Sequence, residues 1–285
     1  GDGSFTIGYT HQNIDELSGM ASTTANSSYG KYAASDYNNR TAQRSIYETE
    51  HRLFATMSST HYFFGADKPT TFNLYFERKS GLPGTYSWDT YTSGNYGGTA
   101  YQREAFGYEK NLNDDSSHLI YVPSGIDDPN VCWGSCDGAP DLAIANQVLD
   151  MLYNQLGLAS YAGQIVPNGV YEYPWQTSLD LKITQILPGF RAEDEFVISL
   201  GIENLLNLID SNKGEIEYGN YNGKMAVLDM FMNEDFSKYI YPNYKGRGYP
   251  DWAYGFNQSN PKGIRKSAVN SIWRAQLGFT YKFSF

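Results

Sequence analysis

Histidine is the side chain best suited to proton transfer or metal ligation near neutral pH, and this chain has four: His11, His51, His61 and His118. They stand in separate segments, without the His-x-x-x-His spacing that puts two imidazoles on one helical face. His11 and His51 could meet only at the ends of adjacent strands, and His61 falls near a turn. A hydrolase would need a nucleophile or an activated water beside a His–Asp pair. No Gly-x-Ser-x-Gly turn and no phosphate-binding Gly loop occurs in the sequence. No catalytic residue is assigned, enzymatic activity is not expected, and neither is a cofactor.

What remains is crosslinking and ligation. Cys132 and Cys136, the only cysteines, lie in a Gly- and Asp-rich loop segment. The pair reads best as a local disulfide formed in an oxidising compartment. A zinc site would need two more ligands, and a redox-active pair is more often Cys-x-x-Cys. Oxygen ligands for Ca²⁺ are offered by Asp127, Asp128, Asn130 and Asp137, with Asp141, and by Asn111, Asn113, Asp114 and Asp115. Neither group has the spacing of an EF-hand, so solvated loop acids are the favoured reading. Trp88, Tyr91, Trp133, Tyr249 and Trp252 are candidates for contact with a ligand, because aromatic rings supply contact area and a polar handle. The alternative is that they pack the loops against one another.

The elements that would position these groups are strands. From Trp273 to Phe285, Trp, Ala, Leu, Phe, Tyr, Phe and Phe alternate with Arg, Gln, Gly, Thr, Lys and Ser. Side chains of a strand point to opposite faces in turn, so this is one apolar and one polar face. The run is long enough to cross a bilayer as a tilted strand, which takes about 9–11 residues. Five more segments alternate in the same way, around Phe5–Thr10, Arg52–Met57, Thr71–Glu77, Trp175–Thr184 and Phe196–Glu203. Long connections follow the first, third and fifth; short turns follow the second and fourth. Transmembrane barrels sort their loops this way, with short periplasmic turns and long extracellular loops. The predicted extracellular loops span 82–172, with the cysteine pair and a helix over 141–157, and 208–270. Asp141 is the expected N-terminal cap of that helix, and Gly157 stands at its C-terminal end. Lys224–Met232 is ambiguous between strand and short helix.

Composition narrows the class. The mean hydropathy of −0.51 is too polar for a helical membrane protein. A barrel conceals its membrane signal, because its lipid-facing and lumen-facing residues average out. The net charge of −10 argues against a nucleic-acid partner. No signal peptide is visible at Gly1–Ser4, so the first residue is expected to be a processed end or an internal position.

Trp175-Gln176-Thr177-Ser178-Leu179-Asp180-Leu181-Lys182-Ile183-Thr184-Gln185, then Leu187-Pro188-Gly189, then Ile202-Glu203-Asn204-Leu205-Leu206-Asn207 resembles the C-terminal barrel region of TonB-dependent outer-membrane receptors, in particular the Oar-like group. Ile120-Tyr121-Val122-Pro123, Asp127-Asp128-Pro129-Asn130-Val131 and Tyr161-Ala162-Gly163-Gln164-Ile165-Val166-Pro167 carry the same resemblance. The terminal aromatics Tyr281, Phe283 and Phe285 resemble the assembly signal of outer-membrane barrels. The resemblance implies an all-β fold: about six C-terminal strands of an antiparallel transmembrane β-barrel of twenty-two strands, with long extracellular loops and one loop helix. Arg52, Asn73, Glu77, Asp180, Lys182, Glu203, Arg274 and Lys282 would then face the lumen. The implied function is to bind an extracellular ligand and import it across the Gram-negative outer membrane. The implied partners are a polypeptide carrying the plug and the rest of the wall, the TonB complex acting through that plug, the bilayer with its lipopolysaccharide, and the ligand. A passive porin or secretion pore, and a secreted or surface all-β binding protein, are the alternatives.

Overall fold

The computed structural model describes residues 1–17, 23–24, 28, 33–35, 39–89, 118–219, 223–233, 235, 237–242 and 264–283. Six long strands form one antiparallel sheet: β1 (Asp2–His11), β2 (His51–His61), β3 (Thr70–Lys79), β4 (Gln176–Pro188), β5 (Glu195–Glu203) and β6 (Arg274–Lys282). They pair strictly in chain order, so the sheet is an up-and-down meander. All six strands expected from the alternation are present, and the antiparallel all-β class with them. The outer edges of β1 and β6 pair with no other described strand, and the sheet is not closed on itself.

Register follows from the alternation, since a slip of one residue would exchange the faces of a whole strand. Leu53, Ala55 and Met57 stand opposite Tyr9, Ile7 and Phe5, and Ile198, Leu200 and Ile202 opposite Phe279, Leu277 and Ala275. On the other face Arg52 stands opposite Lys79, Asn73 opposite Lys182 and Glu203 opposite Arg274. Gly8 stands opposite Phe54, and a Cβ there would fall 2.3 Å from that ring. The aromatic side chain thus covers the bare backbone of the edge strand.

The hydrophobic core is elsewhere. Among the described residues, no hydrophobic side chain of the six strands is buried. Phe5, Ile7, Tyr9, Leu277 and Phe279 are each 58–67% exposed on the apolar face. Tyr86, Ile120, Val122, Trp133, Val148, Leu152, Met225, Leu228 and Tyr241 are instead fully covered, all in the connections after β3 and β5. These connections build a module of their own. Pro83–Asp89 pairs antiparallel with Tyr171–Glu172 and parallel with Lys224–Asp229, and Val131–Gly134 pairs parallel with Tyr239–Pro242. Lys224–Asp229 and Phe231–Met232 are therefore strand, which resolves the ambiguity of that segment.

Helix α1 (Leu142–Asp150) packs Ile144, Ala145 and Val148 into this core. Asp141 caps it as expected, its carboxylate accepting from the backbone N–H groups of Ala143 and Ile144. The helix continues as a wider π-type turn over Met151–Gln155, and Gly157 then takes φ +72°, where a side chain would be strained. No described helix is long and apolar enough to cross a membrane.

Candidate functional site

The polar face of the sheet gathers the expected site residues. By strand register Arg52, Asn73, Glu77, Asp180, Lys182, Glu203, Arg274 and Lys282 all share it. Several form cross-strand pairs. Arg52 Nε donates to Glu77 Oε1 at 2.6 Å and its Nη2 reaches the Tyr75 hydroxyl. Arg274 stands 3.6 Å from Glu203, and Lys282 Nζ donates to Glu195 at 3.1 Å. A shallow concavity of about 440 Å³ in the middle of this face is lined by Ser58, Asn73, Tyr75, Asp180, Lys182 and Glu203, among others. Mixed charges around open space suit transient contact with a polar partner, because each pair is solvated and individually worth little.

Asp180 also has a structural task. Its Oδ1 accepts from the backbone N–H of Asn204 at 2.8 Å, just past the end of β5. Asn204 takes φ +54°, the only described non-glycine residue at positive φ, and its Nδ2 donates to the carbonyls of Gly214 and Ser271. Asn is among the residues that tolerate this conformation best. Asn207 Nδ2 donates in turn to the carbonyls of Ser211 and Lys213. Asn204-Leu205-Leu206-Asn207 is thus a strand stop: it ends β5, starts the short helix Leu205–Ile209 and anchors the connection that follows.

The apolar face carries aromatics at both ends. At the short-turn end Phe196 stacks on Phe279 and Phe190 leans on Tyr281, with Phe283 next in line. The Tyr281 hydroxyl donates to Asp194 at 2.5 Å and accepts from the Phe190 N–H, which pins the short turn to the last strand. At the other end Trp175 stacks on His51 and lies under the Arg78 guanidinium, 5.4 Å from its carbon. Phe285 lies outside the described residues.

The loop candidates divide. Cys132 and Cys136 form the expected disulfide. Trp133 does not present a free ring. It is 2% exposed, stacks on Tyr241 at 5.1 Å and donates its indole N–H to the Ile126 carbonyl. This corrects its assignment as a ligand contact: with apolar neighbours on all sides and its one donor satisfied, the ring packs the loops. Trp88 is in the strand Pro83–Asp89, opposite Leu228. Tyr91, Tyr249 and Trp252 lie outside the described residues, as do Asn111, Asn113, Asp114 and Asp115.

Among the calcium candidates, Asp128 is buried, and its carboxylate accepts from the Tyr121 and Ser124 hydroxyls and from the N–H groups of Ser124 and Asn130. Asp127, Asn130 and Asp137 are exposed, and among the described residues the Asp127 and Asp137 carboxylates do not gather with that of Asp128. Burial alone would raise the Asp128 carboxyl, but the four donors hold it below the usual carboxylate range. Its contribution is therefore complete above the ordinary carboxylate value and disappears as the pH falls through the lower value of the folded state. Asp128→Ala, which strands these donors, is expected to cost the loop about 1–3 kcal/mol. Limited proteolysis within residues 118–135 checks it: faster cutting of the variant is expected, with millimolar Ca²⁺ leaving the unsubstituted chain unchanged.

Elsewhere in the connections, Arg44 joins Glu48, Glu50 and Glu172 at 2.6–2.7 Å, linking the segment before β2 to the one before β4. Burial pushes the His118 imidazole down to about 4, and the nearby Lys224 charge adds to this, so it is neutral at physiological pH. His11 and His51, expected near adjacent strand ends, stand directly opposite each other across β1 and β2. Sequence reasoning missed Glu50 as their neighbour, because it depends on the exact register of the two strands. Comparison with family models, with curated proteins and with solved structures gives no match for this chain.

Proposed function

We propose that this chain supplies part of the wall and the ligand-binding loops of an outer-membrane β-barrel receptor that imports an extracellular ligand with energy delivered through TonB. The observation that carries this reading is the uncovered sheet. A six-stranded antiparallel sheet with one apolar face, aromatics at both ends of that face and no buried core is costly in water, because its apolar side chains remain hydrated. A bilayer removes that cost. The polar face, with its concavity between Asn73, Asp180 and Lys182, would then line the lumen and meet a plug or the ligand. The folded module between strands would stand outside the membrane as the capture surface. In lipid the unpaired backbone of the β1 and β6 edges would cost several kcal/mol per group, so further strands must complete the wall. The sequence resemblance supplies the remaining content, namely the plug, TonB and the direction of transport.

The test is to extract the native assembly from membranes and identify every polypeptide by peptide mapping and intact mass. The proposal expects extraction to require detergent, and a plug-bearing polypeptide with further strands to accompany this sequence. A detergent-extracted, conducting channel without any plug would replace it with the porin or secretion-pore reading. Release without detergent would replace it with a surface-binding all-β protein.

A further inference from the structure

We propose that His11, Glu50 and His51 form a binding site for a borderline divalent metal ion of the zinc class, clipping the edge strand β1 to β2. Among the described residues these three offer one ligand atom each, all within 4.8 Å of one another. His51 Nε2 stands 3.3 Å from Glu50 Oε1. Two ligands of a tetrahedral zinc, each about 2.1 Å from the ion, stand about 3.4 Å apart, so this pair already has the required spacing. His11 enters from the neighbouring strand, its ring stacked on that of His51 at 5.1 Å.

The surroundings prepare these atoms for metal rather than for each other. His11 Nδ1 lies 3.1 Å from the Glu50 backbone carbonyl. A carbonyl can only accept, so the proton sits on Nδ1 and Nε2 keeps its lone pair. His51 Nδ1 meets the Tyr9 hydroxyl at 2.8 Å, a partner that can accept a hydrogen bond from Nδ1–H once Nε2 is given to a metal. Arg44 Nη2 holds Glu50 Oε2 at 2.7 Å, which turns Oε1 toward His51. With His11 ligating through Nε2, each ligand has an outer partner on its other polar atom, the arrangement that orients metal ligands. Two imidazoles and one carboxylate leave a fourth position for water, and this donor set favours zinc over the hard cations Ca²⁺ and Mg²⁺. The inference does not depend on the membrane reading, since it rests on the β1–β2 register and on Glu50 alone.

The experiment is a Zn²⁺ titration of the native protein, purified in detergent or without it as its extraction requires, against a chromophoric chelator, with Ca²⁺ and Mg²⁺ in about hundredfold excess. One zinc per chain is expected. His11→Gln and His51→Gln should each weaken it by more than about tenfold, Tyr9→Phe by about tenfold, and His61→Gln should leave it unchanged. Zinc binding unaltered in both His11→Gln and His51→Gln, or displacement by Ca²⁺, overturns the proposal. Zinc-edge X-ray absorption on the unsubstituted assembly covers the case of a variant that fails to fold. Two imidazole nitrogens bound to the ion support the site, and one or none refutes it.

Discussion

Leu277→Arg is expected to destabilise the native assembly in its membrane by about 2–4 kcal/mol, whereas Gln276→Arg, one residue away, leaves it within about 0.5 kcal/mol. Leu277 lies midway along β6, opposite Leu200, on the apolar face; Gln276 lies opposite Gly201 on the polar face. The contrast decides between solvents. Leu277 is 58% exposed, and in water an arginine at such a position costs almost nothing. Near the middle of a bilayer the same guanidinium must be buried in hydrocarbon. The measurement is the urea midpoint of the assembly in isolated membranes, together with its abundance in the outer-membrane fraction. A large loss for Leu277→Arg alone is expected. Equal behaviour of the two variants means that water, not lipid, covers the apolar face.

Trp133→Ala is expected to cost the loop module about 3–5 kcal/mol and to leave the sheet standing. The indole fills the centre of the covered cluster between Tyr241 and α1, and its N–H satisfies the Ile126 carbonyl. Truncation removes that packing and leaves a partly buried acceptor without its donor. The six strands share none of this core, so their pairing has no reason to fail with it. Protease treatment of the variant should cut within 118–173 and 223–242, while fragments containing β1–β3 and β4–β5 persist. Simultaneous loss of sheet and module would mean that the two unfold as one cooperative unit, against the separation of cores seen here.

Legibility in the sequence followed the length of each element. The six long strands of the sheet were readable because alternation sustained over six or more residues has few other physical explanations. The helix start was readable because Asp141 precedes a run with apolar helical spacing, yet the π-type turn at Met151–Gln155 left no local signal. The short strands of the connections, such as Tyr171–Glu172 and Val131–Gly134, are too brief to show a period. Their pairing is set by packing between distant segments. For the same reason Trp133 could be read as a binding residue or as core, and only tertiary contacts decided. The polar-face residues were found because face follows from parity within a strand. The nearness of His11 and His51 was legible as adjacent strand ends, whereas Glu50 escaped as their third member because its place depends on the offset between two strands separated by a long connection.

One consequence of the module's construction concerns the order in which the molecule folds. Its core is assembled from two stretches of chain, the connections after β3 and after β5, which β4 and β5 separate. The Tyr241 hydroxyl donates to the Tyr121 carbonyl 120 residues away across those strands, and within the first connection the Gly169 N–H donates to the Thr85 hydroxyl 84 residues away. Contacts of such span are slow to form, because the loop-closure entropy is lost before any contact compensates it. Pairing of β3 with β4 and of β4 with β5 shortens those loops before the module must close. The sheet thus acts as a kinetic template: the module should mature last, and only on strands that have already zipped.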